Sequence, residues 1–167
     1  MKRLILICGP MGVGKTAVSR ELQKRLPNCA FLDGDWCWDM RPFVVNDETK
    51  TMVMDNIRHL LNGFLHCSAV ENIVFCWVMH EQGIVDAILS GLDLSGAEVR
   101  VFALIADEAA LTARICGDIA RGVRQENVLA RSLDYLPKYA ELNTAKIDTS
   151  RMSAAETARK MEELLQS

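Results

Sequence analysis

The chain has 167 residues, half of them apolar and a quarter charged, enough for one globular domain with a substantial core. Its net charge of −3 provides no basic surface for nucleic acid or an anionic membrane. No stretch approaches the ~18 apolar residues of a membrane span, and the apolar run behind the basic start is too short for a secretory leader, so the expected location is cytoplasmic.

Leu4–Cys8 is a short, unbroken apolar run ending at Gly9, the pattern of a strand buried on both faces. Ala17, Val18, Leu22 and Leu26 recur at helical spacing and predict a helix over Lys15–Leu26, ended by Pro27 and Asn28. A second strand is expected at Cys29–Leu32, followed by an acidic, tryptophan-bearing loop from Asp33 to Asp47. Ile57, Leu60, Leu61, Phe64 and Leu65 form the apolar stripe of a long helix over Thr49–Val70. Strands at Asn72–Val78 and Val99–Ile105 enclose a helix at Ile84–Leu89 that stops at Gly91. Helices follow at Glu108–Ala120 and from Val128 toward Tyr139, where Pro137 shortens the second. A last strand, Lys146–Asp148, precedes a helix over Ala154–Leu165. Strands alternating with helices predict an α/β fold: a three-layer α/β/α domain spanning residues 1–167 around a five-stranded parallel sheet. None of the six cysteines stands in CxxC spacing, so they read as mostly buried thiols in a reducing compartment.

Gly9–Thr16 matches GxxxxGK[ST] in full, directly after a buried strand and at the start of a helix. Such a loop wraps phosphates with backbone N–H groups, so Gly9, Met11, Gly12, Val13, Gly14 and Ala17 are expected around a bound nucleotide. Lys15 would neutralise its β and γ phosphates, and the Thr16 hydroxyl would ligate Mg²⁺. The expected ligands are therefore ATP, or equally GTP, with Mg²⁺. Asp33 and Asp35 stand at the carboxyl end of the second strand, the edge where open α/β sheets bind ligands. If the strand continues, positions i and i+2 bring both carboxylates to one site; a solvated Asp-Gly turn is the plainer alternative.

The phosphate loop, the Asp-x-Asp after the second strand and the later arginines resemble the small-molecule kinases of the P-loop class: shikimate, gluconate and adenylylsulfate kinases and chloramphenicol phosphotransferase. The likeness runs through nearly the whole chain. It implies the P-loop NTPase fold in its nucleoside-monophosphate-kinase-like form, with a small lid at about residues 114–130. It also implies that Asp33 supports the metal while Asp35 meets the acceptor hydroxyl as base or positioning group. Two departures argue against shikimate as the acceptor: Val78-Met-His-Glu81 replaces a glycine triplet, and Tyr135 stands where an arginine precedes the Pro-x-Tyr segment.

Arg114, Arg121 and Arg124 flank Gly122, and mobile arginines beside a glycine can clamp a transferring phosphoryl group. By resemblance Arg114 lies near the adenine, Arg121 reaches the phosphates, and the segment with Ser150 and Arg151 cups the base. A solvated helical face, with Asp118 at i+4 from Arg114, is the alternative. Trp36, Trp77 and His80 are candidate acceptor contacts, and Trp38 shares the predicted ligand edge. Arg41 and Arg58 are surface charges or anchors for an acidic acceptor. The expected partners are a nucleotide and a small-molecule acceptor, in a monomer or homodimer. A regulatory NTPase that hydrolyses ATP or GTP without an acceptor is the competing reading.

Overall fold

The structure is a computed structural model and describes residues 1–166. Five strands, β1 (Lys2–Cys8), β2 (Cys29–Asp33), β3 (Asn72–Cys76), β4 (Ala97–Ile105) and β5 (Ala145–Asp148), form one parallel sheet in the order β2-β3-β1-β4-β5. The six α-helices are α1 (Lys15–Arg25), α2 (Asp47–His66), α3 (Gln82–Ser90), α4 (Glu108–Ala120), α5 (Val128–Tyr135) and α6 (Ala154–Gln166). The three-layer α/β/α architecture read from the sequence is the one observed.

Central β1 explains the layers. Leu4, Leu6 and Cys8 enter one core with Val53, Ile57 and Leu61 of α2 and Ile88 of α3. Ile5 and Ile7 point the opposite way, into a second core with Val18 and Leu22 of α1, Leu111 and Ile115 of α4 and Met161 of α6. Alternate side chains of a strand leave on opposite faces, and with helices covering both faces every position from Leu4 to Cys8 is fully buried. Each such aliphatic side chain contributes roughly 1.5–3 kcal/mol of burial. Because β1 lies between β3 and β4, the strand order reverses beside it, and this opens the crevice that a ligand would occupy.

Several boundaries differ from the sequence reading for local reasons. Helix α2 begins two residues earlier, where Asn46 and Thr49 close a reciprocal capping box behind Asp47 and Glu48. It ends at His66 rather than Val70: the Lys2 ammonium gathers the carbonyls of Phe64, Cys67 and Val70, and the chain turns around it into β3. Strand β3 stops at Cys76, since Met79 adopts φ +34° and turns the chain. Residues Gly34–Trp38, expected as open loop, wind into a 3₁₀ helix, and so do Leu136–Glu141 around Pro137. Among the described residues no helix is long and apolar enough to cross a membrane. The six cysteines are all free thiols: Cys8, Cys37 and Cys76 are buried, Cys29 is partly buried, and Cys67 and Cys116 are exposed.

Candidate functional site

The loop after β1 and the start of α1 form the floor of a cavity of about 480 Å³. Gly12 turns there with φ +83°, a conformation costly for any residue with a Cβ; a Cβ would also stand 2.4 Å from Cγ1 of Ile115. The loop is therefore seated directly on α4. At the start of α1 no side chain caps the helix, so its first N–H groups remain available to an anion, and the dipole favours one.

Met11, Gly12, Gly14, Lys15, Thr16, Ala17, Asp33, Asp35, Arg114, Arg121 and Arg124 all line this cavity, together with Asp118. Gly9 and Val13 belong to the same loop but are buried behind it, Val13 within the α1 core. The Lys15 ammonium is folded onto its own loop, donating to the carbonyls of Gly9 at 2.8 Å and Pro10 at 2.9 Å. Enclosure lowers its pKa, while the nearby Cys76, Asp35 and Asp33 favour the charged form.

The acid pair converges, though not as two positions of one strand. Strand β2 ends at Asp33, which is almost wholly buried; its Oδ1 caps the 3₁₀ turn by accepting from the Asp35 amide at 3.0 Å. Its Oδ2 accepts from the Thr16 hydroxyl at 2.7 Å. A hydroxyl and a carboxylate so placed suit a hard cation such as Mg²⁺, which takes one or two protein oxygens and completes its shell with phosphates and water. Asp35 stands in the open part of the cavity and reaches solvent, yet the crowded cleft and the neighbouring Asp33 raise its pKa; Lys15, a hydrogen bond from Trp77 and Arg124 oppose the rise.

Arg121 and Arg124 are both engaged by one carboxylate. Arg121 donates to Asp118 Oδ1 at 2.6 Å and Arg124 to its Oδ2 at 2.9 Å, and these bonds hold Asp118 below the usual carboxylate range. Arg114 does not pair with Asp118. Its guanidinium spans from the Val13 carbonyl at 3.2 Å to the hydroxyl and carbonyl of Thr149 at 3.0 and 2.5 Å, tying the phosphate loop to the end of β5.

Other expected contacts lie elsewhere. Ser150 accepts from the Asp107 amide and donates to Asp148, while Arg151 is exposed; neither lines the cavity. Trp36 packs edge-on against Phe31, ring centres 5.3 Å apart, with the Arg20 guanidinium above both rings. Phe31 belongs to the α1 core, so Trp36 is on the opposite side of the sheet from Trp77 and away from an acceptor at Asp35. His80 stacks on Tyr135 with ring centres 4.1 Å apart and meets Glu81 at 3.4 Å, outside the cavity. Trp77 does reach the site: it covers Gly34, where a Cβ would stand 2.5 Å from its ring, and its indole favours the ionised form of the neighbouring Asp35. Arg58 is not available to a ligand; it donates to the Ala87 carbonyl at 2.6 Å and packs on Gly91.

Two supporting side chains escaped the sequence reading. Ser132, fully buried on α5, donates to the Met11 carbonyl at 2.6 Å. Tyr139, also fully buried, donates to the Val78 carbonyl at 2.6 Å, and the Gly9 amide approaches that same oxygen at 3.5 Å. The segment after the arginines thus holds the first part of the phosphate loop, at Met11 directly and at Gly9 through Val78. A serine on the apolar side of α5, among Leu129, Leu133 and Leu136, was the available signal for the first of these.

A family model described as an AAA domain matches residues 5–134, and the chain belongs to that family. No curated protein matches the chain in sequence. Among solved structures it is similar to the tunicamycin resistance protein of Deinococcus radiodurans, with 19% identity, TM-score 0.71, and 99% of this chain and 96% of that one covered. It is also similar to a gluconokinase from Sinorhizobium meliloti (18%, TM-score 0.65, 97% and 94%) and to the shikimate kinase of Acinetobacter baumannii in complex with shikimate (22%, TM-score 0.66, 99% and 93%). The fold is that of the P-loop small-molecule kinases.

Proposed function

We propose that this member of the AAA domain family is an ATP-dependent phosphotransferase that moves the γ-phosphoryl group to a hydroxyl or phosphate of a small molecule. The reading rests on one observation: the phosphate loop, the Thr16–Asp33 pair, Asp35 and two arginines line a single cavity. In this reading the loop amides and the start of α1 bind the phosphates, and Lys15 leaves the loop carbonyls to meet the β and γ groups. Mg²⁺ held by the Thr16 hydroxyl, with Asp33 orienting its waters, would offset phosphate charge. The acceptor oxygen bonds to the γ phosphorus as the bond to the ADP oxygen breaks, and the acceptor proton passes to Asp35. Arg121 and Arg124, on a lid of about residues 114–130, leave Asp118 for the transferring group, whose oxygens carry the developing charge.

The adenine is assigned to the shelf of Val13, Arg114, Thr149 and Met152 beside the main cavity. Arg114 acts there chiefly by holding that shelf to the phosphate loop. The location in this reading is cytoplasmic, without nucleic acid or membrane partners, and the chain works as a monomer or homodimer. Calorimetric titration with a non-hydrolysable ATP analogue tests the nucleotide part. Binding that requires Mg²⁺ and is lost in Lys15→Ala is expected; no binding by the folded protein would refute it.

A further inference from the structure

The wall beside Asp35 differs in character from the phosphate cavity. The 3₁₀ helix repeats about every three residues, which turns Asp35 and Trp38 to one side and Trp36 to the other. From Asp35 an aromatic series leads outward: Trp77 covers the adjacent Gly34, Trp38 lies 6.5 Å from Trp77 between ring centres, and Phe43 lies 5.1 Å from Trp38. Phe43, Val44 and Val45 then stand exposed on the segment leading into α2, with Phe43 at 60% and Val45 at 57% exposure. The Trp38 indole nitrogen is shielded from solvent and has no hydrogen-bond partner among the described residues.

The charge on this side opposes an anion. Between residues 33 and 60 the chain carries six carboxylates against three basic side chains, and one of the three, Arg58, is spent on the end of α3. Lys50 lies beside Asp47, which leaves Arg41 as the cation of the segment without a partner among the described residues. Glu81 and Lys138, further along the same edge, neutralise each other at 3.1 Å.

We propose that the acceptor is a hydroxyl compound with an apolar body and no carboxylate or phosphate of its own, the apolar body resting on Trp77, Trp38 and Phe43 while a hydroxyl faces Asp35. The proposal rests on the phosphotransferase reading and narrows it to neutral or cationic acceptors. Continuity of the aromatic wall with the candidate base is its main support, because a compound touching Asp35 meets this wall next.

The test uses the protein's own reporters, since all three tryptophans lie in or beside this segment. With Mg²⁺ and a non-hydrolysable ATP analogue already bound, tryptophan fluorescence is titrated with aryl and alkyl glucosides and with their glucuronide counterparts, which differ by one carboxylate. Aryl glucosides should bind ~10-fold more tightly than glucose, as one stacked ring is worth about that factor, and glucosides more tightly than the paired glucuronides, whose carboxylate meets the excess negative charge of residues 33–60. Phe43→Ser, an exposed position outside the phosphate cavity, should remove most of the preference over glucose and leave the affinity for the analogue unchanged. Equal affinity within the pairs, down to no binding of either member, overturns the proposal. So does tighter glucuronide binding that Arg41→Gln abolishes, which would make the acceptor an acid. The preceding analogue titration separates the two failures: without nucleotide binding the phosphotransferase reading itself fails, whereas binding without the preference removes only the acceptor class.

Discussion

Replacing Asp33 by asparagine probes the contact on which the metal assignment depends. Both carboxylate oxygens are committed, one to the Thr16 hydroxyl and one to the Asp35 amide. Asparagine keeps the shape but has a single acceptor oxygen. That oxygen should stay with the Asp35 N–H, because the reverse orientation sets two donors face to face. The NH₂ group then faces Thr16 and donates to its hydroxyl, taking up a lone pair that a cation would need. A charge-assisted hydrogen bond contributes about 1.5–3 kcal/mol and a neutral one about 0.5–1.5, so exchanging two should cost roughly 2 kcal/mol. In a chain of this size that corresponds to a melting temperature lower by ~4–8 °C. The effect on the metal should be larger, since losing a group that orients a metal's ligands commonly costs ~10–100-fold in affinity. The assay is ADP release titrated with Mg²⁺ at fixed ATP, with Thr16→Ser as the control that keeps a hydroxyl. A lowered melting temperature with an unchanged Mg²⁺ midpoint would refute the reasoning and reduce Asp33 to a cap of the 3₁₀ turn.

Further outcomes follow from the same geometry. Arg121→Ala should lower kcat more than it raises KM for ATP, because its phosphate contact strengthens only as the γ group leaves; an effect on KM alone in steady-state kinetics would place it in ground-state binding. Asp35→Asn should leave nucleotide affinity nearly intact in calorimetry and cut acceptor-dependent transfer by ~10²–10⁴-fold, or less where a loose transition state asks little of a base. Asp35 accepts a proton only when ionised and its pKa is raised, so the wild-type rate should fall with decreasing pH at a midpoint above the ordinary carboxylate value of 3.8, and the variant's rate profile should lack that limb. The same raised pKa makes the ionised carboxylate mildly destabilising: stability should decline slightly as pH rises from the ordinary to the raised value, and pH-dependent melting of Asp35→Asn should lack this decline. Tyr139→Phe should cost about 1–3 kcal/mol by leaving the Val78 carbonyl with only the long Gly9 contact, and it should raise KM for ATP; denaturant unfolding and ATP titration check the two parts.

Local spacing carried much of the fold and part of the site. The run Leu4–Cys8 could only be a strand covered on both sides, and GxxxxGK[ST] after such a strand leaves little freedom for Lys15 and Thr16. Contacts between distant residues were not legible. That α2 ends at His66 depends on Lys2, more than sixty residues earlier, reaching its last carbonyls. The arginines illustrate the same limit: Arg114 and Arg121 both line the cavity, but their partners, Thr149 for the first and Asp118 for the second, follow from packing. Trp38 rather than Trp36 shares the side of Asp35 because residues 34–38 wind at three per turn, and an extended segment would have turned both tryptophans away from it. His80 was drawn to Tyr135 by stacking across the end of β3, a contact no sequence period records.

The fate of the γ-phosphoryl group tests the central claim most directly. ATP labelled in its γ phosphate is incubated with the protein, Mg²⁺ and a pool of hydroxyl compounds, and the products are separated. The account predicts label in an organic phosphate formed together with ADP, little inorganic phosphate when acceptors are omitted, and loss of the labelled product in Lys15→Ala and Asp35→Asn. Label appearing only as inorganic phosphate, at a rate indifferent to the pool and to Asp35→Asn, would contradict it and make the chain an NTPase without an acceptor.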